Sequence, residues 1–220
     1  MNNLASLPNS LAHIYWIGGA PCAGKSTTAD WLAKEYGLDY YQVDAYTQRH
    51  QEHASAASHS TFWRLNQLNG DALWMRPLEE QVLGAIAYCA EQFELVLADL
   101  RALPTIRPIL AEGTSLLPHL VAPLLSHKHQ AIWLAPEPPF QRKYYSQRPW
   151  IHDVLISCSN PAQAFANWME RDIRFANWVE AQAQAAGLTC LRVHENNTIL
   201  QNAQRIAHHF GLHEPKLGGV

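Results

Sequence analysis

Charge is scarce in this chain. Only 16% of its 220 residues are Asp, Glu, Lys or Arg, and the formal net charge is -3. Such a composition carries no broad positive field, which excludes a nucleic-acid or anionic-membrane binder that works through a basic patch. Any phosphate group must be held locally, by a few residues. Long apolar runs are missing too: none approaches the roughly 18 to 20 residues that span a bilayer. The N-terminus has neither the basic nor the apolar region of a signal peptide, so the expected location is cytoplasmic. Cysteine is thinly spread, with Cys22, Cys89, Cys158 and Cys190 far apart and no C-x-x-C pair. Neither a zinc site nor a disulfide framework is indicated.

What the chain does have is 48% apolar residues, enough for the core of one domain. Short apolar runs alternate with longer segments of helical period. Ile14–Ile17, Tyr40–Val43, Ile109–Ala111, Ala131–Ala135 and Cys190–Val193 each have the length and composition of a buried strand. Between them, Ala29, Leu32, Ala33 and Tyr36 repeat at helical spacing up to Gly37, a natural helix stop. Pro77 opens a second periodic stretch through Leu78, Val82, Ile86, Ala90 and Phe93. Asn160, Pro161 and Gln163 read as N-cap, N1 and N3 of a long helix reaching about Ala186. In that helix Phe165, Trp168 or Met169, Ile173, Ala176 and Val179 form an apolar stripe, whereas Arg171, Arg174 and Trp178 share another face. A last helix runs from Ile199 to Phe210 and stops at Gly211, after which residues 214–220 are expected to fray. This alternation predicts an α/β fold in three layers, a five-stranded, mainly parallel sheet covered on both faces. Two segments are too long for simple crossovers: the polar stretch 45–76 and the stretch 136–159.

The sharpest local signal joins the first strand to the first helix. Gly19-Ala20-Pro21-Cys22-Ala23-Gly24-Lys25-Ser26 fits G-x-x-x-x-G-K-[ST], with Thr27 following. Glycines at these spacings let successive backbone N–H groups turn inward around phosphates while the helix that follows aims its positive end at them. Lys25 is then placed to reach the β- and γ-phosphates and the Ser26 hydroxyl to ligate Mg²⁺.

On these residues the chain resembles the P-loop kinases of small molecules, the group that includes shikimate, gluconate, uridine and nucleoside monophosphate kinases. The resemblance implies ATP with Mg²⁺ as phosphoryl donor, residues Gly19 to Thr27 as its binding loop, and a single kinase domain over residues 1–220. Within it, 45–76 becomes an acceptor-binding helical insertion and 136–159 a lid. It also gives Asp44, in "YYQVDAY", the role of binding the acceptor hydroxyl and acting as its base. Independent support is that ligands of open α/β sheets collect along the carboxyl ends of the strands; a helix-capping role is the plainer alternative. No second acid follows at the spacing used by shikimate and gluconate kinases. The Glu112-Gly113 pair that ends the third apolar run is similar to the strand ends of uridine kinases and archaeal 2-phosphoglycerate kinases, which implies support for Mg²⁺ or the acceptor.

Arg142 and Arg148 fall in the lid segment, and with Arg171 and Arg174 they are the candidates for neutralising charge on the transferring phosphoryl group. Pro77 at N1 places Arg76 at a helix start, an unfavourable place for a cation unless an anion joins it, so Arg76 and Trp74 are candidate contacts for an anionic or ring-bearing acceptor, an ordinary buried Trp and a surface Arg being the plainer alternative. The His50/His53 and His127/His129 pairs lack a third matching ligand, leaving Mg²⁺ as the expected metal. The function expected is transfer of the γ-phosphoryl group of ATP to a small molecule. Two other readings fit the same residues: a P-loop ATPase without an acceptor, and a nucleotide-binding sensor with little turnover. No nucleic-acid or membrane partner is expected.

Overall fold

The computed structural model describes residues 11–104 and 106–212. The expected fraying of residues 214–220 lies outside them. Five strands, β1 (Ile14–Gly19), β2 (Asp39–Gln42), β3 (Ile109–Glu112), β4 (Ala131–Pro136) and β5 (Thr189–Val193), form one sheet in the order β2-β3-β1-β4-β5, and every pairing is parallel. The fold is thus the three-layer α/β arrangement expected.

Side-chain alternation splits the interior in two. Trp16, Tyr41, Ile109, Ala111 and Trp133 face α5 (Leu78–Ala102) and α9 (Pro161–Ala185), which supply Phe93, Val96, Phe175 and Val179. Ile17, Leu110, Ile132, Leu134 and Leu191 face α1 (Lys25–Tyr36) and α10 (Ile199–Phe210), which supply Leu32, Ile206 and Phe210. The stops and caps are chemical. Gly37 and Gly211 end α1 and α10 in the left-handed conformation, and the Asn160 side chain accepts from the Gln163 amide to start α9. Pro77 differs by one place from expectation: it is extended and precedes α5, so Arg76 stands one residue further from the helix start. Among the described residues no helix is long and apolar enough to cross a membrane.

Because the strands run in parallel, their carboxyl ends share one edge of the sheet. The chain runs from β1 out to β2 and β3, then returns to the other side of β1 for β4. The reversal places a crevice at the end of β1, where ligands of open α/β sheets bind. Gly18 and Gly19 make the exit of β1 possible. A Cβ on Gly18 would lie 2.3 Å from Trp133 Nε1 and 2.4 Å from the Leu116 carbonyl, two atoms that hydrogen-bond to each other at 2.7 Å. Gly18→Ala is therefore expected to displace a fully buried indole at a cost of about 1–3 kcal/mol. In a chain of this size that lowers Tm by roughly 2–4 °C per kcal/mol, a loss readable by calorimetry; an unchanged Tm would contradict the packing described.

The two long segments are helical. Residues 45–76 hold α2 (Thr47–His53), α3 (Ser60–Leu65) and α4 (Gly70–Trp74). After β3 comes the short α6 (Pro118–Val121), and residues 136–159 hold α7 (Pro138–Ser146) and α8 (Trp150–Leu155). These last two are packed, not detached. Tyr145, Ile151, Leu155 and Cys158 join Trp74, Ala164, Trp168 and Met169 in a third apolar cluster, and the Ser159 amide donates to Asp71 Oδ1 at 2.9 Å.

Candidate functional site

The loop from Gly19 to Ser26 leaves β1 and enters α1 with three left-handed residues, Gly19 (φ 124°), Cys22 (φ 63°) and Gly24 (φ 74°). The first and last suit glycine. Cys22 is the exception, since a side chain rarely adopts this region. Its thiol is half-buried, and burial pushes its pKa up against the opposing pull of Arg148. Lys25 is only 7% exposed and bends back over the loop. Its Nζ donates to the Ala20 carbonyl at 3.0 Å and to Thr114 Oγ1 at 3.4 Å, and lies 3.9 Å from Glu112 Oε1.

Glu112, at the end of β3, is 1% exposed. Tyr40 OH donates to its Oε2 at 3.1 Å, and the Ser26 hydroxyl is a second hydrogen-bond partner. Burial raises its pKa above the ordinary glutamate value, Lys25 opposes this, and Asp44 adds to it. Ser26, Lys25 and Glu112 are thus one cluster at the crevice, while Thr27 is exposed at the start of α1. Asp44 does not end β2; it lies one turn later, in the 3-10 segment Val43–Tyr46. It is exposed, and among the described residues none hydrogen-bonds its carboxylate, so the capping alternative finds no partner here.

Two cavities meet the loop from opposite sides. The larger, about 460 Å³, is bounded by Pro21, Asp44, Arg76, Thr114, Arg171 and Phe175, among others. The second, about 360 Å³, takes Cys22, Ala23 and Gly24 on one side and Phe140, Tyr144, Arg148, Thr198 and Asn202 on the other. The larger cavity is lined by charges of both signs: Asp44, with Glu112 close by, then Arg76, and the paired Arg171 and Asp172. Among the described residues no carboxylate is in ion-pair contact with Arg76, although Glu80 acts on it from further off; its Nε donates weakly to the Leu73 carbonyl at 3.4 Å. Burial first, and then Arg64, hold its pKa below the ordinary arginine value. Arg171 is held from two sides, by Asp172 Oδ1 at 2.7 Å and by the Trp74 ring 5.0 Å away.

Trp74 therefore does not line the cavity. It stacks on Trp168 with centroids 4.1 Å apart, behind Arg171. Trp168 in turn meets Tyr145 and Trp150, at 5.5 and 5.9 Å, and Arg148 rests on both of those rings. An aromatic ladder thus joins Arg148, beside one cavity, to Arg171 in the other. Arg142 and Arg174 are not brought to either cavity. Both are half exposed and share Glu170, at 3.5 and 3.1 Å, so they neutralise a surface acid. Trp178, one heptad after Arg171 on the same side of α9, packs on the apolar cluster beside Phe175.

Sequence reasoning missed Asp172, which is buried and accepts from Tyr145 OH and Trp168 Nε1, both at 3.1 Å. It also missed Phe140, Tyr144 and the loop after β5. The signal available was position alone: the polar run His194-Glu195-Asn196-Asn197-Thr198 follows a parallel strand at the ligand-collecting edge.

No protein-family model matches the chain, and no curated protein matches it. Among solved structures, it is similar to a shikimate kinase from Acinetobacter baumannii in complex with shikimate, with 13% identity, a TM-score of 0.49, and coverage of 89% of this chain and 90% of that one. It is also similar to a NadR protein in complex with NR, at 12% identity and a TM-score of 0.42, where 96% of this chain spans 55% of that chain.

Proposed function

We propose that this protein is an ATP-dependent kinase that transfers the γ-phosphoryl group to a hydroxyl of a small acceptor carrying an anionic group. The observation that carries the reading is the placement of two cavities on either side of the Gly19 to Ser26 loop, so that a donor on one side and an acceptor on the other converge at Lys25. The nucleotide occupies the side of Phe140, Tyr144 and Asn202, with its phosphates on the loop amides. Lys25 leaves the Ala20 carbonyl for the β- and γ-phosphates. Arg148 neutralises charge from the packed helical pair α7 and α8, the lid of this reading. The acceptor lies in the larger cavity, its anion on Arg76 and Arg171 and its hydroxyl toward Asp44, which takes the proton.

The residues present fit magnesium. Among the described residues no group of three His, Cys, Asp or Glu side chains could cage a metal. The Ser26 hydroxyl beside the Glu112 carboxylate is instead the donor set of an ion held mainly by phosphate oxygens and water. Bound there, the ion would screen charge on the transferring group. An arginine with no carboxylate in contact, in a second cavity, favours this reading over a hydrolase or a sensor, neither of which needs an acceptor pocket.

The test is acceptor-dependent ADP release over a panel of small hydroxylated anions and their neutral analogues. Arg76→Gln removes a charged hydrogen bond worth roughly 1.5–3 kcal/mol and is expected to raise the acceptor KM about ten- to a hundredfold, with the ATP KM unchanged. ADP release at full rate without any acceptor would replace the kinase with a hydrolase.

A further inference from the structure

His50, on α2, is 2% exposed and does not line the larger cavity. Its ring nonetheless connects to that cavity through one side chain. Nε2 lies 2.9 Å from Asp99 Oδ2, and Nδ1 lies 3.3 Å from the Gln92 amide nitrogen. Asp99 also accepts from the Tyr41 hydroxyl at 2.7 Å and from the Arg49 guanidinium. Burial works to raise the Asp99 pKa, and the hydrogen bonds from Tyr41, His50 and Arg49 outweigh it, holding the carboxyl below the ordinary aspartate value. An ionised carboxylate only accepts, so Nε2 bears a proton; the Gln92 NH₂ only donates, so Nδ1 accepts. With Gln92 in this orientation, the neutral form of the ring is the Nε2–H tautomer.

Gln92, 3% exposed, passes this orientation on. Its NH₂ also donates to Thr47 Oγ1 at 3.3 Å, and its Oε1 accepts from the Ser115 hydroxyl. Thr47, Gln92 and Ser115 all line the larger cavity.

We infer that His50 is a positioning residue that sets the hydrogen-bond polarity of this cavity wall, making Ser115 an acceptor and Thr47 a donor toward a bound molecule. With the ring neutral, Ser115 directs its proton to Gln92 and is left to accept from the cavity alongside its other partner, the Cys89 thiol, whereas Thr47 accepts from Gln92 and keeps its own proton free. Protonating the ring places a hydrogen on Nδ1 against the Gln92 NH₂. The carboxamide must then turn over, with Oε1 facing His50 and Thr47 and NH₂ facing Ser115, and the two hydroxyls exchange roles. The groups facing the ring are Arg49 from α2, Tyr46 from the preceding turn at 6.4 Å between centroids, Tyr41 from β2, and Asp99 and Gln92 from α5. If the cavity holds the acceptor, as the kinase reading has it, that acceptor offers a donor to Ser115 and an acceptor atom to Thr47 whenever the ring is neutral.

The test uses the ¹⁵N-labelled full chain without nucleotide or acceptor, so its failure is distinct from failure of the kinase reading. His50 ring nitrogens are assigned by their loss in His50→Gln, and the Gln92 side-chain amide by its loss in Gln92→Met. The expected result is the Nε2–H tautomer in the neutral ring, with Gln92 NH₂ signals that shift at the same pH midpoint as the ring. Ser115→Ala, which removes the donor to Oε1 and the Cys89 contact but leaves the ring's own partners, should keep the tautomer and serves if His50→Gln does not fold. An Nδ1–H tautomer, or Gln92 signals indifferent to the ring's titration, would overturn the inference.

Discussion

Asp44→Asn is expected to slow phosphoryl transfer by about 10²- to 10⁴-fold while leaving nucleotide affinity nearly intact. Asparagine matches aspartate in shape but cannot take a proton. The carboxylate stands in the turn after β2, exposed to the larger cavity and on the far side of the loop from Phe140 and Tyr144. The substitution therefore falls in the larger cavity, and reaches Glu112 only by removing a charge that helps to raise its pKa. Glu112→Gln should behave differently, because Glu112 is buried between Lys25, Ser26 and Tyr40. Its loss is expected to raise the Mg²⁺ concentration needed for half-maximal rate. Steady-state kinetics with the identified acceptor, paired with nucleotide calorimetry, separates the two variants. Full turnover by Asp44→Asn would move the base to Glu112.

Lys25→Ala is expected to weaken ATP-Mg binding about ten- to a hundredfold, the loss of a charge-assisted contact of roughly 1.5–3 kcal/mol. A second consequence follows from its neighbour. Burial already lifts the Glu112 pKa above its unfolded value, so ionising this group opposes folding. The penalty is absent below the ordinary carboxylate range, grows as pH rises through that range, and is complete above the raised folded value. Lys25 relieves part of it. The Tm gap between wild type and Lys25→Ala should therefore widen from acid to neutral pH. Calorimetry reads both effects. Unchanged ATP affinity in a folded variant would remove the loop from the nucleotide site, and a Tm gap flat with pH would deny the coupling to Glu112.

Which parts of this were legible in the sequence depended on whether the causes were local. The strands lay within a residue or two of the apolar runs because each run is short, β-prone and bounded by turn residues. Asn160 and Gly211 marked helix ends by chemistry that needs no partner from elsewhere. The stretch 45–76 gave no periodic signal, since helices of five to seven residues complete too few turns to show one. The face of α9 was read too narrowly. It packs against the sheet, α5 and the helical pair together, so Asp172 and Phe175 are buried beside Trp168, Ala176 and Val179. Arg142 and Arg174 resembled Arg148 and Arg171 in sequence, and only the fold shows that Glu170 draws the first two to the surface. The smaller cavity is built from three separate segments, and only the first of them, the Gly19 to Ser26 loop, carries a motif.

The aromatic ladder has a thermodynamic corollary. Arg148 beside one cavity and Arg171 in the other rest on rings that touch in series through Trp150, Trp168 and Trp74. Were a tilt at one end to displace the stack as a whole, occupants of the two cavities would be energetically linked through a wall neither of them crosses. Linkage is reciprocal: the factor by which the first changes the affinity of the second is the factor by which the second changes the affinity of the first. Each cavity's binding constant would then be a property of the pair.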